Sequence, residues 1–131
     1  MNKFLVVIVS VFMLLSCTRT KQYKSFNDYP VYEGNDLELT YSPQKSDFTL
    51  WAPTAQDVML KIYDAGTGGN LIEEIPMKSS KKGTWKISVQ KDLKNKFYTF
   101  QIKVNDAWLS ETPGIWAKAV GVNGQRAAII D

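Results

Sequence analysis

The sequence predicts an all-β fold, an immunoglobulin-like antiparallel β-sandwich of about seven short strands, set behind a targeting segment and a tether. Three observations predict it. From Leu37 onward apolar residues recur with a period of two, and no segment carries a convincing helical repeat. Turn-forming clusters fall between those runs. The remaining length, about 100 residues, suits one sandwich with its own core.

The first element is not part of that fold. Met1-Asn2-Lys3 gives a short positive start, and Phe4 to Leu15 is an apolar run of signal-peptide length that is short for a membrane span. It ends in Leu14-Leu15-Ser16-Cys17. That tetrapeptide resembles the lipobox of bacterial lipoproteins, in which the cysteine is acylated and becomes the first mature residue. The resemblance implies a signal peptide over 1–16, a lipidated Cys17 and tether over 17–30, and the sandwich over 31–131. The protein is then expected to be membrane-anchored through lipid on Cys17, facing the periplasm or the cell surface. Each buried methylene of such an anchor contributes about 0.8 kcal/mol. Thr18 to Asp28 is mostly polar with no apolar period, so it reads as flexible.

The strands follow in order. Phe48 and Leu50 share one face and Thr49 and Trp51 the other; Val58, Leu60 and Ile62 alternate with Met59, Lys61 and Tyr63. Trp85, Ile87 and Val89 alternate with Lys86 and Ser88, which places Trp85 in the core. The longest case sets Tyr98, Phe100, Ile102 and Val104 against Thr99, Gln101 and Lys103. Between them lie Ala52-Pro53-Thr54, Gly66-Thr67-Gly68-Gly69-Asn70, Lys82-Gly83 and Asn105-Asp106. No lysine-hydroxyl pair or helix follows Gly66, Gly68 and Gly69, so they read as a turn rather than a phosphate cradle.

Composition excludes several functions. The chain has no histidine, which removes imidazole as base, acid or metal ligand, and its one cysteine cannot close an internal disulfide. The net charge of +3 is accounted for by Lys3, Arg19, Lys21 and Lys24 against Asp28, leaving the domain neutral. A neutral domain without a basic stripe makes a poor nucleic-acid binder. Glycoside hydrolysis needs two carboxyl groups across a sugar cleft. The acids Glu73, Glu74, Asp92 and Glu111 sit among turns and lysines and read as a solvated surface. No catalytic residue, metal or cofactor is expected.

One constellation fits a sugar. Aromatic faces stack on the apolar face of a pyranose ring while nearby amides and charges bond its hydroxyls. If Asn105-Asp106 is a two-residue hairpin turn, Val104 pairs with Ala107 and Lys103 with Trp108. Trp108 then lies on the outward face with Lys103 across from it and Gln101 diagonal to it. Trp51 faces away from Phe48 and Leu50 before Pro53 ends its strand, and Trp116 lies in a segment of no assigned face; both read as packing residues.

The stretches "YEGNDLELTYSPQKSDFTLWAPTAQDVMLKIYDAGTGG", "KKGTWKISVQKDLKNKFYTFQIKVN" and "AKAVGVNGQRAAIID" resemble carbohydrate-binding module family 48, in the form found at the N-terminus of bacterial type I pullulanases, enzymes of glycoside hydrolase family 13. The resemblance covers Tyr32 to Asp131. It implies a noncatalytic module, followed in the family by a catalytic (β/α)8 barrel that cleaves α-1,6 bonds of starch and pullulan, and against which Trp51 and Trp116 would pack. None of the barrel's sequence is present. Glycogen-binding relatives, such as the beta subunit of AMP-activated kinase, stack glucose on a tryptophan just after this hairpin turn. They have a lysine where this chain has Gln101, and a second tryptophan in the loop corresponding to Asp64 to Asn70, which here offers only the neighbouring Tyr63. Weak contact with α-glucan is therefore expected. Where such modules commonly read Asp-Pro-Tyr-Ala, this chain has Pro113-Gly114-Ile115-Trp116-Ala117. The alternative is a free-standing α-glucan-binding lipoprotein, and the DNA beyond the codon for Asp131 distinguishes the two.

Overall fold

A computed structural model describes residues 19–131; Cys17 and the segment read as a signal peptide lie outside the described residues. Nine strands form among them: β1 (Glu38–Tyr41), β2 (Ser46–Trp51), β3 (Asp57–Tyr63), β4 (Leu71–Pro76), β5 (Lys78–Ser79), β6 (Thr84–Val89), β7 (Phe97–Val104), β8 (Ala107–Trp108) and β9 (Ala127–Ala128). They build two antiparallel sheets. One has the order β1-β2-β6-β5, and the other β4-β3-β7-β8 with β9 also on β7. Three of the nine, β5, β8 and β9, are two-residue pairings too short to leave a period of two in the sequence.

The core is where the period of two placed it. Val58, Leu60 and Ile62 of β3 are at most 1% exposed, each burial contributing about 1.5 to 3 kcal/mol. Phe48 of one sheet meets Tyr98 and Phe100 of the other edge-on, with centroids 5.1 and 6.5 Å away, and these contacts join the two layers. Trp85 is buried, and its indole N–H donates to the Ala52 carbonyl at 3.1 Å. β4 lies at an edge, and Pro76, Glu73 and Glu74 suit a strand with one unpaired side.

Two sequence-distant motifs meet at one end of the sandwich. Trp51 pairs with Thr84, the Ala52 N–H donates to Gly83 O at 2.9 Å, and Gly83, at φ +76°, lies against Pro53 closely enough that a Cβ would clash. Leu50-Trp51-Ala52-Pro53 and Gly83-Thr84-Trp85 are thus two halves of one contact. The Gly66–Asn70 segment is a closed turn, as its glycines predict: Asn70 donates to the Asp64 carboxylate through backbone and side chain, and Arg126 donates to the Ala65 and Gly68 carbonyls.

The segment read as a flexible tether differs from expectation, because it lies on the sandwich. Ser25 donates to Asp28 through its backbone N–H and hydroxyl around a short 3-10 turn at Phe26–Asp28. Tyr29 lies at a tilt against Tyr23, Phe26 and Trp51, with ring centroids 4.9, 5.2 and 6.2 Å away. Thr20 Oγ1 accepts the Asn105 N–H at 2.8 Å. The three aromatics recur at every third residue among polar neighbours, and they supply the ring contacts that hold the segment against Trp51.

Candidate functional site

The hairpin between β7 and β8 forms with the register its turn residues dictate. Asn105 and Asp106 both have positive φ, 49° and 62°, as a type I′ turn requires, and Asn and Asp tolerate that region better than other non-glycine residues. Gln56 pins the turn from below: it accepts the Asp106 N–H at 2.6 Å and donates its side-chain amide to Asp106 Oδ1 at 3.0 Å. Lys103 pairs with Trp108 and Val104 with Ala107. Trp108 is 44% exposed, and the Lys103 ammonium stands 5.9 Å from its ring centroid. Lys103 also lies 3.8 Å from Asp57, and the Gln101 amide nitrogen donates to Leu109 O at 3.0 Å. Of the three residues singled out from spacing, Lys103 and Trp108 are thus brought together at a partly exposed indole, while the Gln101 amide is engaged by the Leu109 carbonyl.

The loop that holds the second tryptophan in glycogen-binding relatives does not complete this platform. It leaves β3 at Tyr63, whereas Trp108 sits level with Asp57 through Lys103. Six residues of strand separate them, about 20 Å. Tyr63 is also unavailable: it is 8% exposed and the Arg126 guanidinium lies 3.6 Å from its ring centroid.

Beyond Leu109 the pairing slips by one residue. Leu109 N–H donates to Ile102 O, yet Phe100 pairs with Thr112 rather than Glu111. This bulge turns Glu111 outward. Glu111 keeps the exposed position expected for it but is engaged there: it accepts from Lys61 Nζ at 2.9 Å, Tyr63 Oη at 2.7 Å and Thr99 Oγ1 at 2.9 Å. Burial alone would raise its pKa, but the three donors outweigh that and hold it below the ordinary glutamate value. Glu73 and Glu74 pair with Lys91 and Lys61, and Asp92 accepts from Tyr41.

A second feature is built from distant segments. Tyr29, Pro30, Leu50, Trp51, Ile115 and Trp116 line a mostly apolar groove of about 510 Å3. Trp51 donates its indole N–H to Pro30 O at 3.1 Å. Trp116 is 62% exposed and Ile115 89%. Their turn is held by Glu38, a residue sequence reasoning passed over. Glu38 sits at φ +70°, a backbone region costly for a glutamate. The conformation accompanies a carboxylate tucked between the sheets, where it accepts the Trp116 N–H at 3.0 Å and the Tyr98 hydroxyl at 3.3 Å. Desolvation raises its pKa in spite of those donors. Gly114, at φ +88°, leaves room for that carboxylate, which a Cβ would strike. Among the described residues no group of three or more carboxylates or thiolates is placed to hold a metal.

Residues 36–120 match the family Carbohydrate-binding module 48 (Isoamylase N-terminal domain). The chain is 31% identical over 106 residues to the pullulanase of Bacillus subtilis (strain 168), a match covering 81% of this chain and 14% of that protein. It is 31% identical over 103 residues to the pullulanase of Klebsiella aerogenes, covering 71% and 9%. Among solved structures it is similar to the pullulanase of Paenibacillus barengoltzii complexed with maltohexaose and α-cyclodextrin, with TM-score 0.76, 42% identity, and coverage of 81% of this chain and 16% of that one. The pullulanase of Bacillus acidopullulyticus matches with TM-score 0.74 and 36% identity, covering 79% and 13%. The chain thus spans about a seventh of the length of the curated relative it matches over most of its own length.

Proposed function

This chain belongs to the carbohydrate-binding module 48 family, and from that premise we propose that it is the noncatalytic sandwich of a pullulanase-type lipoprotein, touching α-glucan weakly through Trp108 and packing on a catalytic barrel. Lys103 beside the ring, and Gln101 two residues back along β7, supply hydrogen-bond donors for sugar hydroxyls. The observation that carries this reading is the Lys103–Trp108 pairing, which sets a partly exposed indole beside a cation. With no second aromatic within about 20 Å in the Asp64–Asn70 loop, one stacking contact has to serve alone, so affinity is low.

Hydrolysis belongs to the barrel in this reading. Glu111, Glu74 and Asp92 are each engaged by a lysine or a tyrosine of the sandwich itself. Packing belongs to the groove between Trp51 and Trp116, an exposed apolar surface of the kind that marks an interface. Cys17, preceded by its apolar run and Leu14-Leu15-Ser16, carries the lipid that places the protein at the periplasmic or outer surface of a bacterial membrane.

Affinity electrophoresis in amylopectin or pullulan gels tests the glucan reading. Weak retardation of the wild-type chain is expected, and Trp108→Ala should remove it. Strong retention that survives Trp108→Ala sinks the platform.

A further inference from the structure

The N-terminal segment and the C-terminal residues meet the sandwich at opposite ends of β7. At the turn end, Thr20 Oγ1 accepts the Asn105 N–H at 2.8 Å, and Arg19, Thr20 and Gln22 line a shallow cleft with Gln56, Asn105 and Asp106. At the other end, β9 pairs with Phe97 and Tyr98, and Ile129 N–H donates to Lys96 O at 2.9 Å. β7 spans eight residues between them, about 23 Å at the rise of an extended strand. Cys17 precedes Thr20 by three residues, which reach at most about 11 Å when fully extended.

We propose that, in the chain acylated at Cys17, the Asn105–Asp106 turn is the membrane-facing end of the sandwich, with the Trp108 platform beside the lipid surface and the Gln90 and Asp131 end pointing away. The proposal rests on the lipidation reading and adds an orientation that lipidation alone does not imply. A free tether reaching to Pro30 would span about 20 Å as a coil and let the domain tumble. The Thr20 contact shortens that reach by fixing the chain at the turn. A glucan then meets Trp108 along the membrane plane, and the module acts as a spacer of one sandwich length.

Two reporters measure the orientation in the full chain processed by bacterial membranes. Ala107→Cys and Gln90→Cys place thiols at the two ends, both at exposed positions, and an acylated Cys17 does not compete for a fluorescent label. Quenching by lipids carrying a nitroxide on the headgroup should be at least about threefold stronger at position 107, given the ~23 Å between the ends. Thr20→Val removes the acceptor and should bring the ratio toward one; a ratio unchanged by it removes Thr20 as the cause and overturns the mechanism. Equal or reversed quenching in a chain whose Cys17 is acylated by mass spectrometry overturns the orientation alone. An unmodified Cys17 overturns the lipidation reading and the orientation with it.

Discussion

The Trp108 hairpin and the Trp51–Trp116 groove both present exposed tryptophan, but they are held by different kinds of structure. The hairpin is local: two residues with positive φ set its register, and Lys103 and Trp108 are five residues apart. The groove joins residues 26–32, 49–51 and 115–116, and its shape depends on a buried carboxylate from β1. Such a surface yields to changes far from its own tryptophans, while the hairpin's register is set within itself and its distant partners, Gln56 and Thr20, touch only the turn.

The largest effect is expected from Gly114→Val. A β-branched side chain at φ +88° is strained, and its Cβ would displace the Glu38 carboxylate from the Trp116 N–H and Tyr98 hydroxyl. Strain and the broken bonds together should cost about 2 to 4 kcal/mol, read as a lowered urea midpoint, with glucan retardation per folded molecule unchanged. A loss below about 1 kcal/mol would mean that Glu38 does not hold the groove.

Next in size are two opposite pH responses. The folded pKa of Glu38 is raised, so its favourable contribution is present below the unfolded value and lost as pH rises through the folded one. Glu111 is lowered, so its contribution is present above the unfolded value and lost as pH falls through the folded one. Glu111→Gln should therefore cost about 1 to 3 kcal/mol at pH 7 and less near pH 4, since it removes charge-assisted bonds. Glu38→Gln should do the reverse, costing more near pH 4 than at pH 7. Denaturant titrations of both variants at the two pH values check this; slopes of the same sign would contradict it.

The same division governs what could be read in the sequence. Alternation placed Phe48, Leu60, Trp85 and Phe100 in the core, and Asn105-Asp106 fixed the partners of Trp108, because a period and a two-residue turn are local quantities. Glu38 and Glu111 were not legible. One depends on a reversed φ and the other on a one-residue slip opposite Phe100, and neither leaves a mark in composition or spacing. The polar run before Pro30 was misleading for a related reason. Tyr29 meets Tyr23, Phe26 and Trp51 only once the segment folds back on the sandwich, which is a long-range event.

The smallest expected change in stability sharpens the contrast most. Lys103→Met keeps the length and apolar stem of the side chain, and removes only an ammonium 5.9 Å from the Trp108 ring and 3.8 Å from Asp57. A half-exposed cation–π contact and a surface ion pair are each worth about 0.5 to 1 kcal/mol at most, so unfolding should move by less than about 1 kcal/mol. Binding should move further, because among the described residues the lysine is the one cation placed over the indole ring and a methionine cannot donate to a sugar hydroxyl. Gel retardation in amylopectin should then fall toward that of Trp108→Ala while the unfolding midpoint stays close to wild type. If both quantities are unchanged, Lys103 is only a neighbour of the ring. If both fall together, the hairpin depends on that lysine for its fold, and the separation between a local platform and a long-range groove is weaker than the register implies.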